Sequence, residues 1–177
     1  YDLATQPIQA KQSFGYVSDE FTLFEKMTGF EFINFMADIY KVPAEVRAKR
    51  IAAFQDIFAL GDSIYNEISS YSHGMKQKIS VIAALVHNPK LWVLDEPLTG
   101  LDPQSSYQLK KVMKQHAQEG NTVFFSSHIL DVVENLCDRC CIIKKGKLQG
   151  VYDIAELKAK GESLEEIFVS VIGEEDK

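Results

Sequence analysis

Apolar residues recur along the chain with two periods, and the changes between them mark out the elements. "QSFGYVSDE" reads as a short strand ending near Ser18. Phe32, Phe35, Met36, Ile39 and Tyr40 then follow helical spacing behind a capping residue at Thr28. A second helix is expected after Pro43, with a looser stripe of Val46, Ile51, Phe54 and Ile57. Met75, Ile79, Ile82 and Val86 mark a third, opened near Ser72 and stopped by Asn88-Pro89. "LWVL" is a strand, Leu109, Val112, Met113 and His116 share one helix face, and "TVFFS" is again a strand. "ILDVVENL" predicts a short helix, "CCIIK" a strand, and "KKGK" a tight turn into "LQGVYDI". Leu164, Ile167, Phe168, Val171 and Ile172 predict a closing amphipathic helix, and the acidic "GEEDK" end is expected to fray.

Strand-helix-strand order with near-continuous apolar strands predicts an α/β fold with a mostly parallel sheet, buried on both faces and flanked by helices. Composition agrees. The 177 residues are 46% hydrophobic, which describes a soluble globular chain long enough for one ordinary core. The apolar runs are too short to span a bilayer, and no signal-peptide pattern opens the sequence. A net charge of -6 and a pI near 5.2 provide no electrostatic footprint for nucleic acid. Cys137, Cys140 and Cys141 are odd in number and clustered, which argues against a disulfide framework and for a reducing, cytosolic setting. No second pair or His partner stands at metal-ligand spacing from Cys137-x-x-Cys140, so these thiols are read as packing residues.

The chemistry concentrates where strands end. In parallel α/β sheets ligands bind beyond the carboxyl ends of the strands. "LWVL" ends in Asp95-Glu96 and "TVFFS" in Ser126-Ser127-His128, so neighbouring strands would bring two carboxylates and an imidazole to one rim. Strand alternation would aim Asp95 and Glu96 in different directions. One could hold magnesium, which favours few carboxylates with several waters and phosphate oxygens. The other could face an attacking water, and Glu96 and His128 are suitable types for orienting water and contacting a transferred phosphate. Upstream, "YSHGMKQK" puts Ser72, Gly74 and Met75 at a helix start, whose free N–H groups favour anions. Glycine there permits close backbone approach to a phosphate. Read singly, each is a common strand end or Ser N-cap; together they make a phosphate-handling set.

In this order "YSHGMKQK", "LWVLDEPLTGLDP" and "SSHIL" resemble the signature, Walker B with D-loop, and H-loop of an ATP-binding-cassette ATPase. The likeness covers nearly the whole chain and most resembles the ATPase subunits of bacterial export-type transporters, supported by "FGYVSDEFTLFEKMTGFEF" and "GKLQG … SLEEIF". It implies a P-loop NTPase-like fold with ATP and Mg2+ as ligands. Asp95 is then the magnesium ligand, Glu96 the general base and His128 the γ-phosphate switch. Ser72, Gly74 and Met75 would form the signature-helix start that meets the opposite subunit's nucleotide in a head-to-tail dimer, with Asp102 along the seam. About residues 20–88 would form a helical subdomain with the signature helix, and about 89–177 the remaining catalytic core and C-terminal helix. Residues 16–70 would face a transmembrane permease subunit, placing the chain on the cytoplasmic face of the plasma membrane.

Three departures from the family pattern stand out. Asp19 occupies the neighbourhood of the hinge glutamine, from where it could reach metal-bound water. His73 and Met75 replace the commoner Gly and Gln of the signature, and His73 is read as a packing residue rather than a ligand. The chain also contains no G-x-x-x-x-G-K-[ST] loop, which in the family cradles the phosphates. "YDLATQPIQAKQ" resembles the segment after the third strand of a complete cassette, so the resemblance implies a cassette incomplete at its N-terminus, with its C-terminal end present and no ATP turnover of its own. Two other readings stand beside this one: a soluble cassette ATPase of DNA repair or translation, and a non-catalytic fragment that docks on a membrane partner.

Overall fold

A computed structural model describes residues 1–21 and 23–173, which fall into two compact units, Tyr1–Ser126 and Ser127–Lys177. The expected fraying of the acidic end concerns residues outside the described ones beyond Gly173.

The first unit opens with α1 (Pro7–Ser13) and β1 (Phe14–Val17). Three helices follow, α2 (Gly29–Ile39), α3 (Ala44–Ile57) and α4 (His73–Leu85), with two short 3-10 turns between the last two. Then come β2 (Leu91–Leu94), α5 (Pro103–Gln118) and β3 (Thr122–Phe125). The three strands pair in parallel in the order β1-β2-β3, with Val17 beside Leu94 and Leu94 beside Phe125. Parallel neighbours need long crossovers. Here α2 to α4 supply one and α5 the other.

Local chemistry explains the boundaries. α2 begins with a reciprocal capping box: Thr28 Oγ1 accepts the Glu31 N–H at 3.1 Å, and Glu31 Oε2 accepts the Thr28 N–H at 2.9 Å. α3 starts directly after Pro43. α4 is buried along most of its length, from Gln77 through Ile79, Val81, Ile82 and Leu85, and it ends before Asn88, which adopts φ +55. α5 starts at Pro103, whose missing N–H costs nothing in a first turn, and buries Leu109, Val112, Met113 and His116 as the pattern predicts.

Both covering helices lie on one face of the sheet. Gly15 lets α4 approach β1, since a Cβ there would stand 2.3 Å from the Ala84 carbonyl oxygen. On the same face Trp92 is fully buried and meets His116 of α5 edge-on at 5.8 Å. The opposite face is open among the described residues: Tyr16 is 54% and Phe124 56% exposed. The expectation of a sheet buried on both faces is therefore corrected to one packed face. Two stripes are corrected as well. α2 buries Phe32, Ile33 and Ala37 and leaves Phe35 and Ile39 exposed, because its contacts run to α4 and the turn after α3. α3 buries only Ile51, and Val46 is exposed.

The second unit contains α6 (Leu130–Leu136), β4 (Arg139–Lys144), β5 (Lys147–Asp153), α7 (Ile154–Lys160) and α8 (Leu164–Gly173). β4 and β5 form an antiparallel hairpin whose turn residues Lys145 and Gly146 adopt φ +50 and +74. Two successive positive φ values fit the right-handed strand twist, which is why "KKGK" turns tightly. The hairpin's inner face joins Val133, Ile142, Ile154, Leu157 and Leu164 in a small core. Lys144 Nζ donates to the Val171 and Ile172 carbonyls at 2.7 and 3.1 Å, closing the last turn of α8. Cys137 and Cys140 pack against this core as expected, whereas Cys141 lies on the outer face and is exposed, a correction that follows from strand alternation. All three thiols are free.

Candidate functional site

The carboxyl end of β2 holds the acidic pair. The ladder continues one step past the assigned strands, with the Asp95 N–H on the Val17 carbonyl at 2.9 Å and the Ser126 N–H on the Leu94 carbonyl at 3.0 Å. These bonds set Asp95 beside Ser126 on an exposed rim. Ser126 Oγ donates to Asp95 Oδ1 at 2.6 Å and accepts the Glu96 N–H at 2.8 Å. Glu96 does not continue the strand. Its φ is +42, so the expected pleat alternation does not set its direction; the turn does. The turn's first hydrogen bond runs from the Thr99 N–H to the Glu96 carbonyl at 3.1 Å.

The helix opened by Ser72 leans on that same turn. Ser72 Oγ accepts the Met75 N–H at 3.3 Å, an ordinary N-cap. A hydroxyl that accepts in this way still carries a proton to donate. Buried Gln77 donates from Nε2 to the Pro97 carbonyl at 3.1 Å, and Lys78 Nζ lies 4.0 Å from Asp102. A Cβ added at Gly74 would stand 3.4 Å from the Gly100 carbonyl oxygen, an ordinary contact. Packing within the chain therefore does not require glycine at position 74. At Gly100 it does, because φ is +73 and His73 lies against it.

Asp102 caps α5: Oδ1 accepts the Ser105 N–H at 2.9 Å and Oδ2 accepts the Ser105 hydroxyl. The Ser105 hydroxyl and then its N–H hold the Asp102 carboxyl below the usual carboxylate range, with smaller help from Lys78. Its structural work is thus local, at the junction of turn and helix. A cleft of about 290 Å³ opens beside it, lined by Lys78, Ser105, Ile57 and Phe58 among others. Asp19 is exposed in the bend just after β1. His128 is exposed at the start of the second unit, two residues past Ser126 in the chain.

Within the first unit, then, Asp95, Glu96 and Ser126 meet at one strand end, while Ser72, Gly74 and Met75 open a helix tied to the following turn through Gln77. Magnesium suits the donor set: Asp95 is a single exposed carboxylate, already oriented by a hydroxyl. Gln77 was not singled out from the sequence. Gln77 is the lone polar side chain among the buried residues of α4, which is its only signal. Ser126 stood in view at a strand end, but its partner could be named only from the register of β2 with β3.

A parallel three-stranded sheet with helices packed on it and a carboxylate pair at the end of its central strand fits a P-loop NTPase-like fold. The chain belongs to the ABC transporter family, whose model matches residues 2–99. It is 33% identical over 176 residues to the linearmycin resistance ATP-binding protein LnrL of Bacillus subtilis, covering 98% of this chain and 57% of that protein. It is 39% identical over 140 residues to an uncharacterized ABC transporter ATP-binding protein of Nostoc sp., covering 78% of this chain and 42% of that one. The chain thus spans about half the length of these curated relatives. A solved structure of the ATP-binding subunit of an ABC transporter superposes with a TM-score of 0.91 at 27% identity, over 97% of this chain and 73% of the other.

Among the described residues no helix is long and apolar enough to cross a membrane.

Proposed function

We propose that these residues form part of an ATP-hydrolysing subunit that powers an export-type ABC transporter. The observation that carries the reading is the Asp95-Glu96 pair at the end of a central parallel strand, followed by a turn on which the Ser72-capped helix rests. Magnesium held at Asp95 would neutralise charge on the phosphate oxygens. Glu96 would accept the proton of the attacking water, Asp19 would serve the water shell of the bound ion, and His128 would contact the γ-phosphate. Ser72, Gly74 and Met75 present the start of α4 to the nucleotide of a second, head-to-tail subunit, with Asp102 at the seam. A two-fold arrangement makes each such contact twice. The stretch from residue 16 to about residue 70 faces a permease, which holds the subunit on the cytoplasmic side of the membrane.

The 177 residues contain no G-x-x-x-x-G-K-[ST] sequence, so turnover requires such a loop to be joined to them, and alone they bind Mg-ATP weakly. The test mixes two versions that carry a phosphate-loop segment, one with Ser72→Arg and one with Glu96→Gln. Each is inactive by itself, and a mixed dimer has one site with both defects and one with neither. Recovered ATP turnover supports shared sites. No recovery despite proven heterodimers overturns them.

A further inference from the structure

We infer that Ser126 is a positioning residue for the carboxylate pair, its hydroxyl fixing the Asp95 carboxylate and the Glu96 backbone in one arrangement. The inference rests on the reading of Asp95 as metal ligand and Glu96 as base. A serine hydroxyl has one proton and two lone pairs. A carboxylate can only accept and a backbone N–H can only donate, so the direction of both bonds is set: Oγ–H to Asp95 Oδ1 at 2.6 Å, and Glu96 N–H to Oγ at 2.8 Å. The backbone bonds from Asp95 to Val17 and from Ser126 to Leu94 anchor both main chains on the sheet, so the hydroxyl is delivered by rigid elements.

The bond to Glu96 matters most. A glutamate at φ +42 occupies the left-handed region that residues with a Cβ adopt only when neighbours hold them there. Its N–H is held by Ser126 and its carbonyl by Thr99. Removing the hydroxyl releases the N–H side, and Glu96 can relax toward negative φ, swinging its carboxylate away. The Asp95 main chain stays on its sheet bond to Val17, and only its carboxylate loses a partner. Loss of Ser126 therefore shifts the Glu96 backbone, and with it the base, more than it shifts the metal ligand.

Amide exchange read by NMR on the 177-residue chain tests the geometry. Ser126→Ala should speed exchange of the Glu96 N–H at least about tenfold while the Leu94 amide is unchanged. Ser126→Thr keeps the hydroxyl and should restore slow exchange. Unchanged Glu96 exchange in the alanine variant overturns the inference. If that variant does not fold, Ser126→Cys decides in its place, because a thiol donates and accepts weakly: Glu96 exchange as slow as in the parent overturns the inference. In a version bearing a phosphate loop, Ser126→Ala should lower kcat about tenfold with KM for ATP within about twofold, and Ser126→Thr should recover it. A parental kcat in Ser126→Ala, where Glu96→Gln is inactive, overturns the role of Ser126. A parental kcat in Glu96→Gln overturns the base assignment instead.

Discussion

The His73 imidazole packs against Gly100: a Cβ built on Gly100 would stand 2.4 Å from His73 Cδ2. The ring also meets Phe21, with centroids 4.9 Å apart. His73 thus touches both the segment after β1 and the turn after β2. Gly100→Ala meets both this overlap and φ +73, and should cost about 2–4 kcal/mol in urea unfolding. Combined with His73→Gly, only the backbone strain persists, and the cost should fall to roughly 1–2 kcal/mol. Equal costs in both backgrounds would show that the two residues are not coupled.

Gly74 offers the opposite case. Neither its packing nor its φ demands glycine, and it lies in the first turn of a helix. Gly74→Ala should leave stability equal or raise it by up to about 1 kcal/mol. With a phosphate loop in place, the role proposed for the start of α4 predicts that the same change slows ATP turnover on the order of tenfold, because it adds bulk to the backbone proposed to approach phosphate. Thermal melting and turnover measured on one preparation separate these effects. A destabilised but fully active variant would reverse the assignment.

Acid should weaken the first unit through His87. Its ring stacks on Tyr40 at 3.6 Å, its Nε2 lies 3.3 Å from the Phe14 carbonyl, and Nδ1 has no hydrogen-bond partner among the described residues. Burial chiefly, then the charges of Arg50 and His116, outweighs the Phe14 carbonyl and depresses its pKa to about 4. An unfolded histidine titrates near about 6.5. Between these values the unfolded chain binds a proton that the folded one excludes, so stability is full above about pH 6.5 and falls progressively down to about pH 4. Urea midpoints across that window should show the loss, and His87→Phe should flatten it. A residual slope is expected from His116, which burial also lowers.

The three thiols should react at different rates. Burial first, with the neighbouring Cys140 and Asp138 adding to it, raises Cys137 to about 11, and burial also raises Cys140. Only about one part in a thousand of Cys137 is thiolate at pH 8, and the thiolate is the nucleophile. A colorimetric disulfide reagent should give one fast phase and two slow ones that become fast in urea. Cys141→Ser should remove the fast phase. Its survival would place the exposed thiol elsewhere.

Features whose physics is local were determined by the sequence itself. The Thr28–Glu31 capping box, the helix behind Pro43, the Ser72 cap, the Asp102-Pro103 helix start and the Lys145-Gly146 turn each depend on residues within four positions of one another. Short-range hydrogen bonds and allowed φ values decide them, and a single chain segment carries that information. The motifs around Ser72, Asp95 and Ser126 were equally visible, because spacing along a strand or helix is itself local.

Tertiary structure alone decided what those segments meet. Phe35 and Ile39 follow the apolar period but stay exposed, since burial depends on which face α4 covers. Tyr16 and Phe124 read as core and lie on the open face, because both α4 and α5 pack on the other. Ser126 reaches Asp95 and Glu96 across about thirty residues of chain, and His73 reaches Gly100 across nearly as many. Such contacts follow from parallel register and helix crossover. Those are settled only when the whole unit has chosen one packing among the many that the same local pattern allows.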